Sequence, residues 1–397
     1  MGKVPVLSYS GFRTYSECPQ RWKFLYLDRL PEAPRSYFSF GRSIHSALEE
    51  FVAPLVATPS GGDGRRLGRQ TTLLDFPGEA PRLLSVEELL ALYERHWVRE
   101  GYSSPEEEKR YFDLGRDLLI RFHRVFSAEL PMPLAVEKDL AATVEGLPVH
   151  GIIDRIDRRP EGGLEVLDYK TTRELSLRDA AESDQLTLYQ MLVEGNYDLP
   201  VERLTLYHLR SLTPLRSPAR DRDRVADLAM RLGEVADGIR SDDQDPTPGP
   251  YCKWCEFRRL CPEFREVPSP DRERVAELVR RYRELRTRPS PLPSELEEVT
   301  QEIQAEAKRL DIRRLPGANG SQIHLRREAR WTVPLPEALA RFPVHGVRPP
   351  SPPSDDPDRV ALRRHDPRLP PALRRELLAL TSREVSWHLD LEGSGAF

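Results

Sequence analysis

Along the chain the spacing of apolar positions changes several times, and each change marks an element. In the stretch 8–30, Phe12, Tyr15 and Trp22 fall at helical intervals, with Ser10 as candidate N-cap and Cys18-Pro19 as a break. Ile44, Leu48 and Phe51 predict an amphipathic helix over 40–51, and His45 lies beside its apolar stripe. Residues 54–84 carry Gly, Pro and Arg without periodicity, which predicts a long surface loop or insertion. Leu89, Leu90, Tyr93 and Trp97 predict a helix near 85–99, and Tyr111, Leu118, Phe122 and Phe126 a second over 105–129.

Between 134 and 170 the pattern becomes strand-like: LAVEKDLAATV, LPVHGIIDRID and LEVLDYK. The runs Val149–Ile156 and Leu164–Tyr169 flank a turn signal containing Pro160, Gly162 and Gly163, which predicts a hairpin. A helix over 178–194, a strand over 201–209 and a helix over 222–240 follow. A β-rich centre with helices on either side of it in sequence argues for an α/β domain. After the approach at 241–250, helices over 270–286 and 293–310 are separated by RPSPLPS and predict a helical hairpin. SQIHLRREARWTVP then predicts a strand, HGVRPPSPPSDDPD a linker, 371–380 a helix and REVSWHLDL a last strand. The expected division is residues 1–265, with the insertion at 54–84, and an appendage at 266–397.

Composition narrows the class. The 397 residues carry a formal net charge of −4, so any nucleic-acid contact must come from a local basic groove. No apolar run approaches the roughly 20 residues that span a bilayer, and the opening MGKVPVLSYS lacks a signal-peptide core. A soluble, cytoplasmic protein with no membrane partner is expected.

Candidate chemistry gathers at strand ends. Asp154 lies near the end of one run, and Asp168 and Lys170 close the next, two apart and so on one face. Two carboxylates beside an ammonium suit a hard divalent cation next to a phosphate. Gln185 and Tyr189 share a helical face. Aromatics interleaved with Arg13, Arg21, Lys23 and Arg29 suit either a core stripe or a nucleic-acid surface. Cys252, Cys255 and Cys261 form C-x2-C-x5-C, and Cys18 is a remote fourth. Four thiolates in a chain expected to be intracellular suit a tetrahedral Zn2+ or a [4Fe–4S] cluster.

From Ser8 to Cys261 the chain resembles the PD-(D/E)xK nucleases of the RecB/AddB type, which include CRISPR adaptation nucleases with an iron–sulfur cluster. The matching stretches are SYSGFRTYSECP, GRSIH with His45, GIIDRID with Asp154, LDYKT with Asp168 and Lys170, QLTLY with Gln185 and Tyr189, and CKWCEFRRLC. The resemblance implies a restriction-endonuclease-like core, a central mixed sheet flanked by helices. Here it would carry an N-terminal helical region and a C-terminal appendage of helical hairpin and strands.

Asp154 and Asp168 would each give a carboxylate oxygen to Mg2+ or Mn2+. The Tyr169 carbonyl would add a ligand, as the resemblance also implies, and His45 an imidazole that suits Mn2+. Lys170 would orient the attacking water or stabilise the transition state. Gln185 and Tyr189 would present polar heads to the site or to the DNA backbone. Glu137, on the preceding strand, is a candidate for a second metal or a surface charge. The cysteines are expected to hold a [4Fe–4S] staple, with Zn2+ as the alternative. The expected activity is a DNA nuclease, an exonuclease on single strands or ends, in repair, recombination, phage replication or defence. Competing readings are a non-catalytic DNA clamp and a CRISPR end-trimming nuclease. No G-x-x-x-x-G-K-[ST] loop is present. A helicase or recombination protein, if needed, would therefore be a separate chain.

Overall fold

A computed structural model describes residues 6–56, 82–144, 146–288, 293–334 and 382–392. Residues 340–341, 359–362, 373 and 377 are also described. Contacts divide the chain into two units. The first is Met1–Arg13 with Pro31–Ser241, the second Thr14–Leu30 with Asp242–Phe397. Most of the expected insertion and of the helix at 371–380, and the whole linker at 345–358, lie outside the described residues.

The first unit is built on a five-stranded sheet in the order β1 (Met132–Val144), β2 (Leu147–Arg158), β3 (Leu164–Lys170), β4 (Val201–His208) and β5 (Thr213–Pro218). Only β3 and β4 run parallel, so the sheet is mixed. The expected hairpin joins β2 to β3. Gly162 and Gly163 take φ of +103° and +74°, and a Cβ at Gly163 would meet Glu202 Cγ at 2.4 Å and the Pro200 carbonyl at 3.0 Å. β3 is apolar at most positions and buried along nearly its whole length, as an interior strand must be.

Side chains alternate across the sheet, so each face has its own cover. On one face lie α3 (Ser36–Val52), α4 (Val86–Arg95) and α5 (Pro105–Glu129), in a cluster with Leu167, Tyr169 and Tyr207. The stripe of α3 that enters this cluster is Phe40, Ile44, Ala47, Leu48 and Phe51, all buried. On the other face α7 (Asp184–Glu194) lies against the strands. Its approach depends on Gly151 of β2, where a Cβ would meet Leu192 Cδ1 at 2.9 Å and the Tyr189 ring at 3.1 Å.

Three local expectations change. The helix over 178–194 is two helices, α6 (Leu177–Glu182) and α7, because Ser183 is extended and its hydroxyl accepts from the Leu186 N–H at 3.2 Å. In α1 (Tyr9–Glu17) the capping hydroxyl belongs to Ser8 and not Ser10, since it accepts from the Gly11 N–H at 3.1 Å. The edge strand β5 has no counterpart in the apolar pattern. Its Pro214 and Pro218 speak against a strand by sequence and are tolerated only at an edge. The break at Cys18-Pro19, where α2 (Pro19–Trp22) of the second unit begins, and the last helix of the first unit, α8 (Arg222–Arg240), follow expectation.

The second unit holds α9 (Arg272–Thr287) and α10 (Pro293–Leu310), whose Val275, Leu278, Val279, Val299 and Ile303 share a core. That core includes Ile323 and Leu325 of β7 (Gln322–Pro334), which pairs antiparallel with β9 (Ser382–Glu392) over eleven positions. β6 (Arg314–Pro316) and β8 (Arg359–Leu362) complete the sheet. Among the described residues no helix is long and apolar enough to cross a membrane.

Under the first sheet, on the α5 side, Arg155 is buried between the Phe126 and Tyr169 rings. Its Nη2 donates to Asp157 Oδ2 at 2.8 Å, and its Nη1 donates to the Tyr169 hydroxyl at 2.5 Å. Burial pushes the Asp157 carboxyl up although Arg155 pulls it down, so the acid depends on this partner. Arg155→Met should therefore cost about 3–5 kcal/mol in denaturant unfolding, because it strands a buried carboxylate. Arg155→Met with Asp157→Leu should recover most of that loss. A single variant as stable as wild type would contradict the arrangement.

Candidate active site

Strand pairing between β2 and β3 runs as far as Arg155↔Leu167, which leaves Asp154, inside β2, and Asp168, near the C-terminal end of β3, side by side on one face. The Tyr169 N–H then takes Asp154 Oδ2 as its acceptor, at 2.6 Å. This fixes the Asp154 carboxylate and leaves the Tyr169 carbonyl facing His45, whose Nε2 lies 3.0 Å from it. His45 Nδ1 lies 3.4 Å from Asp154 and 3.9 Å from Glu137. Among the described residues, His45, Glu137 and Asp154 are the group of metal-ligating side chains whose donor atoms lie within 4.8 Å of one another.

Glu137 reaches this group through an unusual backbone. In β1 the pairs Val136↔Arg155 and Lys138↔Ile153 flank it, and Glu137 itself takes φ of +39°. A non-glycine residue in the left-handed region inside a strand is strained and is held there by its surroundings.

Asp168 takes a different partner. Its carboxylate lies 2.6 Å from Lys170 Nζ, and Gln185 joins the two. The Gln185 Oε1 accepts from Lys170 at 2.9 Å, while Nε2 donates to Asp168 Oδ1 and to the Tyr189 hydroxyl, both at 2.8 Å. A cation on one side and an anion on the other admit only this orientation of the amide. The i,i+4 spacing of Gln185 and Tyr189 on α7 puts both heads in the same network. Every expected site residue of this unit is thus within one cluster, divided into a His45–Glu137–Asp154 half and an Asp168–Lys170–Gln185–Tyr189 half.

The charges follow the geometry. Burial alone would lower the His45 pKa, but the Asp154 carboxylate outweighs it and holds the imidazole well above its usual range. Burial alone would raise Asp154, but His45, the Tyr169 N–H and Lys170 hold it below the carboxylate range. For Asp168 burial wins over the Lys170 charge, and the neighbouring Asp154 adds to it, pushing the group up to about 6. For Lys170 the balance reverses, and Asp168 holds the ammonium up against the cost of burial. Tyr189 is raised by burial and by the two aspartates, so it stays a neutral hydroxyl.

Tyr9 is a neighbour that the apolar pattern does not single out. Burial raises its phenol, and Asp184, Asp168, Lys170 and Arg13 all act on it through their charges. Its signal in the sequence is its position as first residue of α1, directly after the capping Ser8.

In the second unit the four cysteines line one cavity, with Arg21, Phe24, Tyr251 and Phe264 among its walls. None forms a disulfide. The Phe24 and Phe257 rings meet at 5.4 Å, and the Tyr251 hydroxyl donates to the Glu17 carbonyl, which ties the Cys18 segment to the Cys252–Cys261 segment. Burial raises the Cys255 thiol and pushes Cys261 up to about 12, so ionising them requires a positive charge in the cavity. Among the described residues, no three sulfur atoms lie within 4.8 Å of one another.

The chain matches the family model of the PD-(D/E)XK nuclease superfamily over residues 6–262. It is 22% identical over 301 residues to the Gene 69 protein of Mycobacterium phage L5, and 22% identical over 284 residues to the Gene 69 protein of Mycobacterium phage D29. Each match takes in 66% of this chain and 98% of the phage protein. A crystal structure from Eubacterium rectale, of a protein designated an exonuclease, is similar over 67% of this chain and 91% of its own. The identity is 11% and the TM-score 0.40. A mixed five-stranded sheet flanked by helices is the core arrangement of the matched family, and the chain belongs to the PD-(D/E)XK nuclease superfamily.

Proposed function

We propose that this nuclease is a divalent-metal-dependent deoxyribonuclease that hydrolyses phosphodiester bonds in single strands or at DNA ends. The observation that carries the reading is the convergence of His45, Glu137, Asp154, Asp168 and Lys170 at the C-terminal end of β3, beside the middle of β2. One imidazole and two carboxylates with donor atoms inside 4.8 Å fit Mg2+ or Mn2+, and the nitrogen donor favours Mn2+. The Tyr169 carbonyl lies 3.0 Å from His45 Nε2, and Asp168 sits on the neighbouring strand, held by Lys170 and Gln185. When bound there, the ion supplies charge neutralisation for the phosphoryl oxygens and lowers the pKa of water.

The protein's own groups do the rest. Lys170 is held in place by Asp168 and Gln185 and keeps its proton, so it offers a fixed positive charge to the phosphate as negative charge builds up. Gln185 and Tyr189 hold Asp168 and Lys170 in register with each other. In the metal-free protein His45 carries a proton, which stabilises the fold through Asp154 and is lost as pH rises through the raised pKa. His45 would have to lose that proton to ligate a cation, so metal affinity should increase with pH. The phage origin of the two relatives fits a role in phage DNA metabolism.

For the cysteine cavity we propose a [4Fe–4S] cluster. Four thiolates line the cavity, three from the compact C-x2-C-x5-C segment and one from far upstream at Cys18, a donor set that suits the cluster, with tetrahedral Zn2+ as the alternative. The cluster's work is to join residues 14–30 to residues 242–265 within the second unit.

Two experiments test these readings. On end-labelled DNA with Mn2+, Lys170→Ala should lower kcat about 10²–10³-fold while calorimetry shows Mn2+ still binding, more tightly at pH 8 than at pH 6. Asp154→Asn should lose both cleavage and binding. Full activity in both variants would contradict the site. Protein purified without oxygen should be brown with a broad violet-blue absorption band, and Cys18→Ser should lose colour and thermal stability together. A colourless protein carrying zinc would contradict the cluster.

A further inference from the structure

The solvent side of α3 carries more than charge. Phe38, Arg42, His45 and Glu49 follow at intervals of three and four, so they form one stripe opposite the buried Phe40, Ile44, Ala47, Leu48 and Phe51. Phe38 is 58% exposed on that stripe, and Tyr37 beside it is 48% exposed. Burial of α3 explains neither ring, because the helix already presents a complete apolar face on its other side. The two ring centroids lie 4.3 Å apart, and Arg35 donates to the Tyr37 hydroxyl at 3.3 Å, which holds the pair as a small raised aromatic surface.

This surface stands in line with the candidate metal ligand. Phe38 precedes His45 by seven residues, about 10 Å along the helix axis. Arg42 lies between them on the same stripe. The helix also passes close to the end of β3 in this interval, where a Cβ at Gly41 would meet Thr171 Oγ1 at 3.4 Å. An aromatic face, then a guanidinium, then a metal ligand matches the order of base, phosphate and scissile bond in an extended single strand.

We infer that Phe38, with Tyr37 behind it, stacks on a nucleobase of single-stranded DNA while Arg42 pairs with a backbone phosphate, guiding the strand to His45. The inference rests on the nuclease reading above and adds how the substrate is held. Single-stranded DNA is the occupant favoured by the adjoining positive charge and by the direct line to the site. Stacking on an aromatic side chain is tolerant of base identity, so the surface would guide strands without sequence preference.

The test uses the full chain and an oligothymidylate of about 12 nucleotides carrying one 2-aminopurine, with EDTA present to prevent cleavage. Binding should quench the 2-aminopurine fluorescence. Phe38→Ala should weaken binding about 5- to 100-fold and remove the quench. Phe38→Leu should do the same, and Phe38→Trp should retain both. Phe38 is exposed, so these variants should melt like wild type. Phe38→Ala binding within twofold of wild type, with the quench intact, would overturn the inference; that is also the result expected if a protein partner covers the rings. Cleavage of the same oligonucleotide by wild type with Mn2+ is the separate check. If wild type cleaves and Phe38→Ala binds normally, only the stacking surface falls. If wild type binds through Phe38 but never cleaves, only the nuclease reading falls. If wild type does neither, both fall.

Discussion

Two acidic side chains buried side by side cannot both stay ionised unless each has positive charge next to it. This constraint organises the first unit. Asp154 is supplied by His45 from α3, and Asp168 by Lys170 from its own strand, with Gln185 of α7 closing the second pair. The sheet brings the acids together, and the helices on its two faces deliver the partners. The close approach permitted at Gly151 is what lets α7 reach the network. A divalent ion fits the same logic, since it would replace the proton that His45 now contributes.

Much of this could be read from residue order. Asp168 and Lys170 had to share a face because strand side chains alternate, and Gln185 and Tyr189 had to share one because helix side chains repeat after four. What could not be read was which acid each cation would choose. D-x-K spacing says that Lys170 is near Asp168, but it says nothing of His45 closing on Asp154 and the Tyr169 carbonyl. Glu137 was visible as a strand residue that could serve a metal or be a surface charge; its left-handed backbone, which brings it to His45, follows from packing and not from local preference. The split at Ser183 follows a capping signal that the apolar periodicity of 178–194 overrode. β5 was hidden by its prolines, and Tyr9 by the absence of any period that would mark it.

The second unit shows the same contrast between short and long range. C-x2-C-x5-C is legible from its own spacing as a candidate metal-binding segment, whereas Cys18 enters that reading only as the remaining cysteine and through the family resemblance. Only folding brings it into the cavity with the other three, through the Phe24–Phe257 contact and the Tyr251 hydroxyl. The Cys255 and Cys261 thiols are costly to ionise without positive charge beside them, so the proposed cluster would also stabilise this segment. The helices and sheet beyond it have a core of their own around Val279, Ile303 and Ile323.

The central claim is that one metal-binding centre sits where β3 ends beside Asp154 of β2. It is tested most directly by a crystal of the full chain grown with Mn2+, with diffraction measured at the manganese absorption edge. The account predicts an anomalous peak within about 2.0–2.4 Å of donor atoms from both His45 and Asp154, with Asp168 or Glu137 in contact. A peak elsewhere, or none at saturating Mn2+, would contradict it.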